Sequence, residues 1–287
     1  MEKLKIFFPL LCSLVFLIYI GNSINISEQI FFYEKLDKIF YIYFVILFLP
    51  IHFIISLKYK ILIENYKKIN LLKSIYVNLI GFTFSLLIPM KGGDFFRQKY
   101  IDFNKKEYQP NSSFFFKINF LEKIISLFAI ILIICISSFF SQEIENIFPA
   151  YKFLKFIFFL FILIFLLLFF FKVKKKFSIS FSKIFFFDLI AWLLQFLQIF
   201  LIVFFFDINL SVVNTIVIFG LAIVFGSLPI SLGGFGIRDY ILFYSFNTVG
   251  ISENLLLVLV FFNLRYLLPA FITFLILIYK YFSNDIK

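Results

Sequence analysis

Of the 287 residues, 63% are hydrophobic and only 15% are charged, and the mean hydropathy is +1.04. A soluble domain is about half apolar and about a quarter charged, so the composition excludes a chain built mainly of water-soluble domain. The net charge of +11 does not point to nucleic acid, because most lysines fall between apolar runs, where the positive-inside rule and anionic lipid favour them. The 51 phenylalanines are a compositional bias and carry no functional information.

Crossing a hydrocarbon core of about 30 Å takes roughly 20 apolar residues in a helix. In chain order, full spans are predicted at 6–21, 39–57, 119–140, 153–171, 184–206 and 254–279, with irregular apolar segments at 71–90 and 212–230. The first run follows Lys3 and Lys5 as a signal peptide would, but no small-x-small cleavage site stands near Gly21, so it reads as a spanning helix. Cys12 and Cys135 both lie inside apolar runs and suggest no disulfide framework. His52 is the one histidine; it reads as a tucked polar residue, and no metal or other cofactor is expected.

Loop charge sets the predicted topology. Segment 22–38 holds Glu28, Glu34 and Asp37 against Lys35 and Lys38, and 141–152 holds Glu143 and Glu145 against Lys152, so both read as external. Segment 58–70, with Lys58, Lys60, Lys67 and Lys68, and segment 172–183, with Lys172, Lys174, Lys175, Lys176 and Lys183, read as cytoplasmic. Segment 91–118 is basic as well, and it obeys the same rule only if 71–90 enters the membrane and returns to the side it came from. Ser74, Asn78, Gly81 and Pro89 suit such a broken helix buried in protein rather than facing lipid.

The second irregular segment repeats the first. Pro89, Gly92, Gly93 and Arg97 are echoed by Pro229, Gly233, Gly234, Gly236 and Arg238, with Pro-to-Arg separations of 8 and 9 residues. The flanking spans pair at a similar offset, giving a single membrane domain over 1–287 with repeat A at 1–150 and repeat B at 151–287. Three crossings per half invert one repeat against the other, an architecture of secondary transporters that bind near the midplane where broken helices meet. The fold class expected is therefore all-α integral membrane, with six full transmembrane helices, two re-entrant segments and both termini cytoplasmic.

The breaks expose backbone N–H groups that can hold an anion, and Arg97 and Arg238 follow them with a fork of donors suited to phosphate. Arg265 stands inside the last span, where a charge is costly and must face the bundle interior. Glu122 is its candidate ion-pair partner, with Asp94, Asp188 and Asp239 as rivals. Gln195 and Gln198 share one face of their helix, expected to point inward. No P-loop, H-E-x-x-H or G-x-S-x-G occurs, so no enzyme is expected, although Asp94, Glu122 or Asp239 could serve as acid or base in a lipid-modifying one.

Pro229-Ile230-Ser231-Leu232-Gly233-Gly234-Phe235-Gly236-Ile237-Arg238-Asp239 resembles a signature of the flippase-like membrane proteins related to the transmembrane region of lysylphosphatidylglycerol synthase. Pro89 through Arg97 resembles that family's other break motif, and Leu121-Glu122-Lys123 resembles its Glu-Arg pair at a helix start. Asp239 and Lys123 stand where the family usually has Glu and Arg. The resemblance covers roughly 71–279, without the soluble aminoacyl-transferase domain of the full-length synthases. It implies translocation of an anionic phospholipid or polyprenyl-linked precursor between leaflets of the cytoplasmic membrane. Arg97, Arg238 and Arg265 would hold the headgroup, with Asp94, Glu122 and Asp239 as charged support. The alternative is an accessory subunit working with a glycosyltransferase of envelope biosynthesis.

Overall fold

The structure is a computed structural model that describes residues 38–64, 68–87, 93, 97, 100, 101, 112–139, 181–228, 231, 234–250 and 255–284, with isolated positions at 14, 15, 18, 19, 156, 157, 159, 160 and 164. The predicted spans at 6–21 and 153–171 lie outside the described residues, apart from those isolated helical positions.

The described chain is helical: α1 (Lys38–Ile46), α2 (Phe48–Ile63), α3 (Leu71–Leu87), α4 (Ser112–Phe139), α5 (Phe181–Phe205), α6 (Val212–Gly226), α7 (Ile237–Thr248) and α8 (Leu255–Asn284). Four stretches are long and apolar enough to cross a membrane: Lys38–Ile63, Lys117–Ser138, Ser182–Phe205 and Leu255–Tyr279. They coincide with the predicted spans at 39–57, 119–140, 184–206 and 254–279. The first of them is interrupted at Leu47 between α1 and α2, just before Pro50, which lacks an N–H and whose ring crowds the carbonyl one turn back. In α8, Pro269 likewise removes the donor that would meet the carbonyl of Arg265.

The two irregular segments form helices shorter than a membrane is thick. The 17 residues of α3 and the 15 of α6 rise about 25 Å and about 22 Å at 1.5 Å per residue, against a core of about 30 Å. Ser211 caps α6, its Oγ accepting from the N–H of Asn214 at 3.2 Å. At the start of α7 the Asp239 carboxylate reaches back to accept from the Gly236 N–H at 2.8 Å, and Gly236 holds φ 90°, which suits glycine.

α5 runs through the middle of the bundle, packed on α1, α2, α4, α6 and α8, while α3 lies on α2 and α8 and α6 on α4 and α7. One apolar core joins α1, α2, α4, α5, α6, α7 and α8 around edge-on and tilted rings such as Phe40, Phe44, Phe206 and Phe261. A smaller core of Tyr59, Leu62, Ile63, Val77, Ile118, Ile125 and Ile184 closes the other end of α2. The outward faces are apolar too. Leu49, Phe204 and Tyr279 are 76%, 74% and 76% exposed, a surface that hydrocarbon solvates and water does not.

The polar residues of α3 point inward, as a helix buried in protein requires. The hydroxyl of Ser74 donates to the Ser56 carbonyl at 2.6 Å and the Asn78 amide donates to the Ser56 hydroxyl at 3.3 Å, so a short polar seam ties α3 to α2.

Candidate functional site

The buried charges form two clusters. The first lies between α2, α4, α5 and the segment after α3. The Lys58 ammonium sits 3.0 Å from Glu122 Oε1 and 2.9 Å from Asp188 Oδ1, and Arg97 Nη1 sits 2.8 Å from Glu122 Oε2. All four side chains are nearly inaccessible. Two cations face two carboxylates, so the cluster is neutral as a unit, as burial in low dielectric demands. The Arg97 guanidinium also lies 4.8 Å from the centre of the Tyr59 ring. It fits because α3 carries Gly81 at that point: a Cβ there would run into the Arg97 side chain.

This corrects three expectations. Lys58 is not a loop charge: α2 continues to Ile63 and buries it. Asp188, a rival for Arg265, instead pairs with Lys58. Glu122 does not pair with Arg265; its carboxylate is taken up by Lys58 and Arg97. Helical spacing was the available signal for Lys58, since it shares a face with Ile51, Ile55 and Leu62.

The second cluster surrounds Tyr266 on α8. The Arg238 guanidinium lies 4.0 Å from the Tyr266 ring centre and donates from Nη2 to Asn263 Oδ1 at 2.7 Å. Asn263 in turn donates to Asp239 Oδ1 at 2.7 Å, so an amide links the cation to the nearby acid. Arg265 lies 5.7 Å from the same ring. It donates from Nε to Gln198 Oε1 at 3.0 Å and from Nη2 to Gln195 Oε1 at 3.3 Å. Gln195 and Gln198 thus face inward as expected, and Gln198 is held by its own bond to the Phe44 carbonyl at 3.0 Å. Asn263 and Tyr266 escaped the sequence argument, although Asn263 is a polar residue inside a span and Tyr266 adjoins Arg265.

A cavity of about 30 Å³ opens beside Arg265, between α2, α3, α5 and α8. His52 lines it, stacked against Phe48 and edge-on to Phe82, and Phe82 lies parallel to Tyr266. Around this second cluster, Arg265 Nη1, Arg238 Nε and His52 Nδ1 are buried without a hydrogen-bond partner among the described residues.

The described glycines of the two breaks have the same use. A Cβ on Gly93 would collide with the Phe84–Ser85 backbone at the end of α3, and one on Gly234, at φ 87°, would come 2.6 Å from the Gly226 carbonyl oxygen at the end of α6. Each glycine lets the chain fold tightly back on the helix before it. Pro89, Gly92, Asp94, Pro229 and Gly233 lie outside the described residues.

Apolar helices of spanning length, apolar outward faces and buried charge define a multi-pass helical membrane protein. Residues 6–275 match the family model described as the lysylphosphatidylglycerol synthase TM region, and the chain belongs to that family. No significant match is found among curated proteins or solved structures.

Proposed function

We propose that this chain moves the polar head of an anionic phospholipid or lipid-linked precursor between the leaflets of the cytoplasmic membrane. The observation that carries the proposal is Arg265, a guanidinium buried inside a spanning helix with amide partners in place of a carboxylate. A second guanidinium, Arg238, lies on the same aromatic ring. A buried cation without an acid partner is expensive in a membrane and marks a functional position by default. Arg97 belongs to the other cluster, where Glu122 already balances it, so Arg238 and Arg265 carry the charge recognition while the acyl chains stay in lipid.

The finer architecture proposed is six spans and two re-entrant segments in inverted repeats, with cytoplasmic termini. Two features support it. Gly93 and Arg97 stand 141 residues before Gly234 and Arg238, and both glycines fold onto the helix just passed. The packing is also exchanged between halves: α3 of the first lies on α8 of the second, and α6 of the second on α4 of the first. In this proposal the chain is a transporter without a catalytic step and needs no glycosyltransferase partner.

Reconstitution in vesicles with a fluorescent phosphatidylglycerol analogue tests it. Arg265→Ala and Arg238→Ala, each at wild-type folding, should abolish exchange between leaflets; unchanged exchange would overturn the proposal. In a deletion strain, lipid composition should hold while sidedness shifts. A lost lipid species would favour an enzyme instead.

A further inference from the structure

The two charged clusters differ in their charge count. Lys58 and Arg97 are balanced by Glu122 and Asp188. Around Tyr266, Arg238 and Arg265 meet one linked acid, Asp239, through Asn263. Among the described residues one positive charge is left over, and it falls on Arg265, which is 5% exposed and bonded to two neutral amides. Burial without a counter-charge is disfavoured strongly enough that such groups are ordinarily paired.

We propose that the chamber beside Arg265 is a binding site for a small monovalent inorganic anion of the halide class. Its volume of about 30 Å³ is roughly twice the 10–15 Å³ that a single water requires, which suits one small ion. Its walls combine aromatic and aliphatic faces, Phe48, Ile51, Ile55 and Phe82, with nitrogen from Arg265 and His52, and among the described residues they include no carboxylate. Arg265 Nη1 and His52 Nδ1 are the buried groups there still wanting a partner. A monoanion supplies the one missing negative charge, whereas a dianion would replace the surplus by a deficit. The site does not depend on the transport proposal. Where a lipid phosphate also uses Arg265, the two anions compete.

Thermal unfolding of the purified full chain in neutral detergent tests this, with sodium chloride or bromide titrated against sodium gluconate at constant ionic strength. Wild type should show a saturable rise in Tm of a few degrees with either halide and none with gluconate. Arg265→Gln should lose the rise. Gln195→Glu supplies a fixed carboxylate to the same guanidinium, so it should be more stable than wild type in gluconate and indifferent to chloride. This second variant keeps the test valid if Arg265→Gln fails to fold. A wild type without a saturable response overturns the proposal, as does a halide response that persists in Gln195→Glu. A response only to micelles containing phosphatidylglycerol overturns it too, and assigns the missing charge to lipid phosphate. Halide binding without lipid exchange in vesicles leaves the anion site standing and removes the transport proposal.

Discussion

The two buried clusters use the same chemistry for opposite ends. At Lys58, every charge has an opposite charge within 3.0 Å, so the unit is balanced in charge and holds α2, α4 and α5 together. At Arg265, the guanidinium is oriented by Gln195 and Gln198 but not neutralised by them. Amides fix geometry without cancelling charge, which leaves the cation able to bind an anion. A closed ionic network is thus a fastening, and the oriented but unbalanced cation is where we propose that an anion binds.

The sharpest way to break that comparison is Lys58→Met. It leaves Glu122 with Arg97 and takes from Asp188 its cation, and removing one partner of a buried ion network costs about 3–5 kcal/mol. The folded fraction in detergent, followed by size-exclusion profile and thermal unfolding, should fall sharply. The double variant Lys58→Met with Asp188→Asn restores neutrality and should recover much of the loss. Failure to recover would mean that Lys58 acts by packing rather than charge.

The backbone folds come next. Gly234→Ala forces a Cβ into a positive-φ position against the Gly226 carbonyl and should destabilise by more than about 1 kcal/mol. Gly93→Ala should behave alike in the same unfolding measurement. A tolerant Gly93 beside a sensitive Gly234 would separate the two breaks.

Asn263→Leu sharpens the other side. It removes the amide between Arg238 and Asp239 and leaves both with unmet hydrogen bonds, at a cost of about 1–3 kcal/mol. Vesicle exchange should suffer more than Tm does, because the position of Arg238 is disturbed while the helices stay packed. The smallest effect is expected from Ser74→Ala, which removes one α2–α3 bond. The Tm loss should match about 1 kcal/mol, with exchange retained.

Much of this molecule could be argued from its residues. Apolar length located the four described spans, and Ser74, Asn78 and Gly81 marked α3 as buried in protein, because a polar group facing hydrocarbon has no partner. Gln195 and Gln198 were recognisable as one face from their spacing. The pairing of charges was not. Glu122 and Arg265 both lie inside spanning helices and carry opposite signs, yet the carboxylate closes on Lys58 and Arg97. Span boundaries drawn by hydropathy stop at the first charge, so Lys58 was assigned to a loop although α2 runs on beneath it.

By itself, the sequence determined that the chain is a membrane helix bundle, that two apolar segments are interrupted by Pro and Gly-Gly, and that arginines follow each break. Hydrophobic length and backbone freedom are local properties, and they can be counted along a chain. Only the tertiary structure decided which cations are neutralised and which are merely held. That depends on side chains from α2, the segment after α3, α4, α5, α7 and α8 meeting within about 3 Å, the range of a charge-assisted hydrogen bond, and no spacing within one helix specifies it.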